Sequence, residues 1–406
     1  MIAVSDLMGR GEAVFGSHWN LNDELREEVG QRSRGFIRKL RSLKKCDRRQ
    51  QRAAIERLLK SYDAKLIAFI LAWNGKHPIT RTKLDTLLDG LDPWVDCGEY
   101  IHPIAVPKDS GMRLTFSFGV KRRVLQKLVL LILTSALGQS RYEFARKGKG
   151  PVRALNLIKD AIQQKGGPRW YNINDIENFY GSVTRDRMKE IIPLPDRVIQ
   201  NVIFLPCIRE EKFLIEFPLL QAAQVGIPQG SLASPFIASK IMESILDKVS
   251  GYPKIVHGDD VIIGNDRECV AQANEGVVHA LCAGHPAGPF KVKSEISEFG
   301  TPLDYLGYRV RKRPKKFGGG VRFTPSPKSF NRLETRMFER LSDSHPSEIE
   351  EREKQYRTSW MSAFSIWDRS KNGDDLVEIN IGAHVVMPAR RAAYAKHKAA
   401  KNTKSN

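Results

Sequence analysis

Two adjacent carboxylates, Asp259 and Asp260, sit in the stretch Val256-His257-Gly258-Asp259-Asp260-Val261, between β-branched runs on either side. Like charges held side by side repel and raise one another's pKa, so the pair is a poor choice for stability alone. A bound cation resolves that conflict. Ile255 and Val256 before the pair, and Val261 to Ile263 after it, favour strands, while Gly258 suits a turn with positive φ. The pattern predicts strand, acidic turn, strand. A surface turn rich in Gly and Asp has the same local composition, so what decides is the rest of the chain.

The surrounding elements supply that company in a definite order. Met112 to Phe118 alternates like a strand, and the triplet Lys121-Arg122-Arg123 then reads as a basic turn opening onto a buried helix from Val124 to Leu137. From Phe144 to Pro151, glycines alternate with cations including Lys147 and Lys149, ahead of a helical pattern from Val152 to Ile162. Such a loop can hold phosphates, although the Walker spacing is absent. Trp170 to Asp175 reads as a strand ending in a carboxylate, followed by Phe179 and Tyr180. Val225 to Pro235 is a loop of small residues containing Gln229, with Ser234 expected to cap and Pro235 to open a buried helix reaching about Val249. After the acidic turn come Lys291, Lys293 and a strand pair around Tyr305-Leu306-Gly307-Tyr308. The lysine- and glycine-rich segment from Arg311 to Gly320 reads as a hinge to a last helical region.

Basic residues dominate both ends of the chain. Residues 21–73 carry no proline and show helical periodicity, and the cations between Arg26 and Lys60 form either a solvated face or a phosphate-contacting one. Lys328, Arg332, Arg336 and Arg340 recur every four residues beside an apolar stripe of Leu333, Met337 and Leu341. They either track phosphates or pair with Glu334 and Glu339 in solvent. Across 406 residues, 66 Lys and Arg against 46 Asp and Glu give a net charge of +20 and a pI near 9.7. A polyanionic partner is expected, nucleic acid first. The longest apolar runs, Leu66 to Trp73 and Leu128 to Leu133, are too short to span a bilayer, and the first fifteen residues lack a secretory core. A cytoplasmic protein with no membrane partner is expected. The five scattered cysteines suggest neither a zinc site nor a disulfide framework.

Taken together, a strand ending in Asp175, the loop QGSLASP with Gln229, the acidic hairpin and Leu306-Gly307-Tyr308 resemble the reverse transcriptases. The resemblance covers roughly Met112 to Val310. It implies an α+β, right-hand polymerase: an antiparallel palm sheet backed by helices, with fingers, a helical thumb and a helical N-terminal extension. The expected segments are 1–95 for the extension, 96–165 for the fingers, 166–315 for the palm and 316–406 for the thumb and a basic tail. By resemblance, Asp175 and Asp259 bind two Mg²⁺ ions, or Mn²⁺ in their place, with Asp260 in support. Arg113, Tyr180, Gln229 and Lys293 meet the incoming dNTP, Tyr180 as a gate against the ribose 2′-OH and Lys293 as acid for pyrophosphate. Lys291 fits that last role nearly as well.

The same resemblance places Arg122, Arg123, Lys147, Lys149, Lys328, Arg332, Arg336 and Arg340 on nucleic acid and Leu306, Gly307 and Tyr308 at the primer grip. The partners implied are an RNA template, a DNA or RNA primer and dNTPs. A dedicated non-coding RNA is a further candidate, and the resemblance leaves any protein partner unknown. His257-Gly258 departs from the family's usual Tyr-Ala. Without signatures of the intron, retron or diversity-generating subtypes, the chain looks most like a stand-alone bacterial reverse transcriptase of the kind often associated with phage defence. RNA-templated or template-independent synthesis on the same fold, and an RNA-binding protein on a decayed polymerase scaffold, are the competing readings.

Overall fold

A computed structural model describes residues 23–73, 80–99, 101–108, 111–146, 148–204, 226–313, 320–367 and 385–402. In chain order these form helices α1 (Asp23–Ser42), α2 (Arg48–Lys60), α3 (Tyr62–Ala72) and α4 (Arg81–Asp89), then strands β1 (Ile101–Lys108) and β2 (Gly111–Phe118). Next come α5 (Val120–Leu137), α6 (Gly150–Gln163), β3 (Trp170–Ile176), a single turn α7 (Phe179–Ser182), α8 (Ser234–Leu246), β4 (Lys254–His257) and β5 (Asp260–Asn265). The remainder comprises α9 (Glu268–Ala283), β6 (Val292–Glu298), β7 (Leu303–Tyr305), β8 (Tyr308–Lys312), β9 (Val321–Pro325), α10 (Pro327–Ser342), α11 (Ile349–Ala363) and α12 (Met387–Asn402). Helices mixed with antiparallel sheets make the chain α+β. Packing divides it into two compact units, Met1–Gly150, Asn172–Ile263 and Cys269–Glu295 in the first, Pro151–Tyr171, Gly264–Glu268 and Ile296–Asn406 in the second.

The first unit is built on one continuous apolar core. Along α1, Val29, Ser33, Phe36 and Leu40 recur at alternating four and three spacing and are buried, which leaves Arg34, Arg38 and Arg41 exposed. Asp47 and Gln50 form a reciprocal capping box that starts α2. α3 and α5 are apolar on most faces, as buried helices are, and pack against each other. Beside them lies a four-stranded sheet in the order β4-β5-β3-β6. Residues 142–144 add to its β4 edge: the Val256 N–H donates to the Tyr142 carbonyl and the Phe144 N–H to the Val256 carbonyl, each at 2.8 Å.

The triplet expected as a basic turn lies instead inside the first turn of α5. The Glu99 carboxylate explains why, since it accepts the free Lys121 and Arg122 N–H groups at 3.0 and 2.9 Å where Gly119 offers no side chain. Arg122 itself is only 5% exposed and pairs with Asp96 at 2.5 Å. A guanidinium so enclosed holds the fold together and is not presented to nucleic acid. Ser234 is the first residue of α8 and does not cap it. Ala233 occupies the cap position without a side-chain bond.

In the second unit, β7, β8 and β9 form an antiparallel sheet beside α10, α11 and α12. Residues 314–319 of the expected hinge lie outside the described residues; flanking them, Arg311 pairs with Arg322 and Lys312 with Val321, so β9 runs antiparallel to β8 rather than leading to a separate domain. α10 begins with Ser326 accepting the Ser329 N–H and Pro327 in the first turn. No helix among the described residues is long and apolar enough to cross a membrane. The described cysteines are free thiols, and Cys207 lies outside the described residues.

Candidate active site

The acidic turn is a two-residue hairpin. His257 pairs with Asp260 across it, and Gly258 and Asp259 fill the two central positions. Gly258 has φ +72°, the first-position conformation of a type II′ turn, which matches the twist of the flanking strands. β5 lies beside β3, and the Ile176 N–H donates to the Asp259 carbonyl at 3.2 Å. That bond brings the end of β3, where Asp175 is exposed, next to the turn that carries Asp259 and Asp260, both half-buried. Among the described residues no group of three or more His, Cys, Asp or Glu side chains is arranged to hold a metal by itself.

A second group of residues meets at the same end of the sheet. Tyr180 follows Asp175 by five positions, and its backbone carbonyl accepts the Ile227 N–H at 2.9 Å. Burial pushes its phenol up to about 12; the charges of Glu143 and Asp259 add to that shift and Arg113 opposes it. The phenol is therefore un-ionised at any physiological pH. The Arg113 Nε donates to the Gln229 side-chain oxygen, which joins two expected nucleotide-binding residues from separate segments. The loop is also stitched to β2, because the Phe116 N–H donates to the Gln229 carbonyl at 2.8 Å. Only glycine fits at the next position: Gly230 has φ +104°, and a Cβ there would lie 2.3 Å from the Phe116 carbonyl oxygen.

Lys293 is exposed and pairs with Glu177 at 2.7 Å, and that bond, with a contribution from Asp175, raises the ammonium pKa. Lys291 contributes through its backbone, its carbonyl accepting the Glu177 N–H at 3.0 Å. Burial lowers the His257 pKa against the opposing pull of Asp259. Behind Asp175, the buried Asn174 accepts a hydrogen bond from Ser294 at 2.8 Å, and Ser294 in turn meets the His279 Nε2 at 2.7 Å. Sequence reasoning missed Glu143, Glu177 and this chain of side chains. An acid inside an otherwise basic loop was the available signal for Glu143.

The remaining expected residues fall into different settings. Lys149 is half-buried, donates to the Arg141 carbonyl at 2.8 Å and lies 4.4 Å from the Phe144 ring centroid. Arg123 is half-buried, and Lys147 lies outside the described residues. On α10, Lys328, Arg332, Arg336 and Arg340 are all exposed while Leu333, Met337 and Leu341 are buried, and Arg340 lies 4.8 Å over the Tyr356 ring. Leu306 and Gly307 form the β7–β8 turn, both left-handed with φ of 51° and 83°, as a type I′ turn requires. Tyr308 corrects one expectation. Its ring is 2% exposed and packs 4.9 Å from Phe364, so its side chain serves the core of the second unit rather than a primer surface.

A family description, reverse transcriptase (RNA-dependent DNA polymerase), matches residues 106–310, half of the chain. This chain belongs to the reverse transcriptase family. The matched region includes Arg113, the acidic hairpin and Tyr308, while α1 to α4 and α10 to α12 lie outside it. As a family member the protein is a nucleotidyltransferase that polymerises DNA on an RNA template, with template, primer and nucleotides as its substrates. The family's fold is that of a polymerase with palm, fingers and thumb, and its members generally use divalent metal ions. No curated protein matches the chain.

Proposed function

We propose that this reverse transcriptase extends a primer 3′ end by two-metal-ion phosphoryl transfer, with Asp175 and Asp259 as metal ligands and Asp260 in support. The observation that carries the reading is the Ile176 to Asp259 backbone bond, which draws carboxylate-bearing positions from two strands to one end of the sheet. Small, hard divalent cations such as Mg²⁺ use one or two carboxylates and take their other oxygens from substrate phosphates and water. The donor set present here suits Mg²⁺, or Mn²⁺ in its place. Bound there, the ions would activate the primer 3′-OH and steady the departing pyrophosphate.

The chain's own residues do the rest. Arg113, held by Gln229, offers a fixed cation to the triphosphate, and Gln229 itself borders the nucleotide. Tyr180 presents an uncharged, largely buried ring where a 2′-OH would need space. Lys293, kept protonated by Glu177, supplies a proton to pyrophosphate. Arg123, Lys149, Lys328, Arg332, Arg336 and Arg340 contact nucleic-acid phosphates, and the Leu306-Gly307 turn contacts the primer. Extension, fingers, palm and thumb occupy the four segments given above, the protein works in the cytoplasm, and a dedicated non-coding RNA and a role in phage defence complete the reading. The test is Asp259→Asn on a defined template–primer. Extension should fall about a thousandfold, the scale on which losing an electrostatic partner of the transition state acts, with binding retained. Extension at the wild-type rate would remove the proposal.

A further inference from the structure

The turn that bears Tyr180 rests on the loop that carries Gln229 through main-chain contact. Gly226, buried three positions before Gln229, lies so close to α7 that a Cβ on it would stand 2.5 Å from the Gly181 Cα and nearer still to the Tyr180 carbonyl oxygen. Packed atoms do not approach that closely, so a side chain here forces a displacement. Both obstacles are main-chain atoms, and no flexible side chain can swing aside to make room. The φ of Gly226 lies outside the left-handed region, so the close approach by itself demands glycine. The next residue completes the contact, because the Ile227 N–H donates to that same Tyr180 carbonyl at 2.9 Å. The Tyr180 ring in turn meets the buried Phe179 ring edge-on, 6.0 Å between centroids, so ring and turn move together.

We infer that Gly226 is a specificity-determining position: by placing no side chain between the loop and α7, it sets the spacing between the Tyr180 ring and the loop that bears Gln229. The inference rests on the gate reading of Tyr180 and adds what fixes the gate's position. Gly226 acts through Tyr180, as a positioning residue. A steric gate works by the room it leaves. A Cβ at 226 pushes the Tyr180 main chain away from the loop by a substantial fraction of an ångström, and the ring follows. Rejecting one hydroxyl depends on a displacement of that order, so the shift should release about tenfold in sugar discrimination.

The test compares kcat/KM for a dNTP and its matching rNTP on one template–primer, for wild type, Gly226→Ala, Gly230→Ala, Tyr180→Ala and the Gly226→Ala/Tyr180→Ala double variant. The ratio of the two values is independent of how much of a preparation is folded, so simple loss of stability leaves it unmoved. Gly226→Ala should lower dNTP over rNTP discrimination about tenfold. Gly230→Ala inserts the same methyl in the same loop but against the Phe116 carbonyl, and should slow both sugars alike. In the Tyr180→Ala background, Gly226→Ala should change the ratio no further, because its effect runs through the ring. If Gly226→Ala yields no active enzyme, Ile227→Pro removes the donor to the Tyr180 carbonyl without a Cβ at 226, and should lower the ratio about threefold. An unchanged ratio in Gly226→Ala, or in Ile227→Pro where that variant stands in, overturns the inference while leaving the gate intact. So does an equal fall in Gly230→Ala or a further fall in the double variant. An unchanged ratio in Tyr180→Ala alone fails the gate itself.

Discussion

At the scale of single residues, Tyr180 shows how much depends on what surrounds a side chain. If its ring is the gate, Tyr180→Ala should admit rNTPs with a gain of about tenfold to a hundredfold relative to dNTPs, read from competitive incorporation. Equal discrimination in that variant would make the ring simply part of the core. Glu143 makes a separate prediction about stability. Its folded pKa, about 7 against an ordinary 4.5, means the folded state binds the proton more tightly than the unfolded chain does. Its contribution is therefore full below about pH 4.5 and is lost as pH rises through 7, with a total of about 3 kcal/mol. Glu143→Gln should remove that loss, so its melting temperature should gain on wild type between pH 5 and pH 8; parallel pH curves would show a carboxyl that is not buried in solution. The strand end at Asp175 and the turn at Asp259 were legible because each is a local pattern. The burial of Glu143 was not, because it depends on the bridge to Val256, which only folding brings near.

At the scale of elements, the sequence placed most helices and strands and erred where a distant group decides a boundary. α5 starts a turn earlier than its apolar periodicity suggests, because Glu99 caps it from upstream. No local pattern announces that. The same arrangement turned Arg122 inward, and Arg122→Ala should cost about 2–3 kcal/mol in urea unfolding. The figure lies below that of a fully enclosed pair because Asp96 stays 35% exposed. Arg122→Lys should recover little, since an ammonium cannot reproduce the guanidinium's several directed bonds. Unaltered stability with weakened nucleic-acid binding would return Arg122 to an interface role. The supposed hinge erred for a related reason: whether a glycine- and lysine-rich segment separates domains or joins two paired strands depends on where β9 pairs, which is not a local property.

At the scale of the molecule, net charge was the earliest clue and is the broadest constraint. With +20 on the chain, affinity for any nucleic acid should fall steeply with salt. The α10 stripe offers a way to apportion that fall. Withdrawing one cation from a phosphate should lower the log–log slope by about 0.9 on duplex, so Arg332→Ala with Arg336→Ala should reduce it by nearly two. An unchanged slope assigns the stripe to solvent. The sheet that carries the acidic turn has one more consequence, for how the protein behaves in a crowd of its own copies. An exposed strand edge is a template on which a neighbouring chain can add a strand. Here β4 is four residues long, and Val256 at its centre spends both backbone groups on the 142–144 segment. At the other edge, β6 carries the exposed charges of Lys293 and Glu295. A paired margin on one side and exposed charges on the other both disfavour strand addition to the layer that bears the acidic turn.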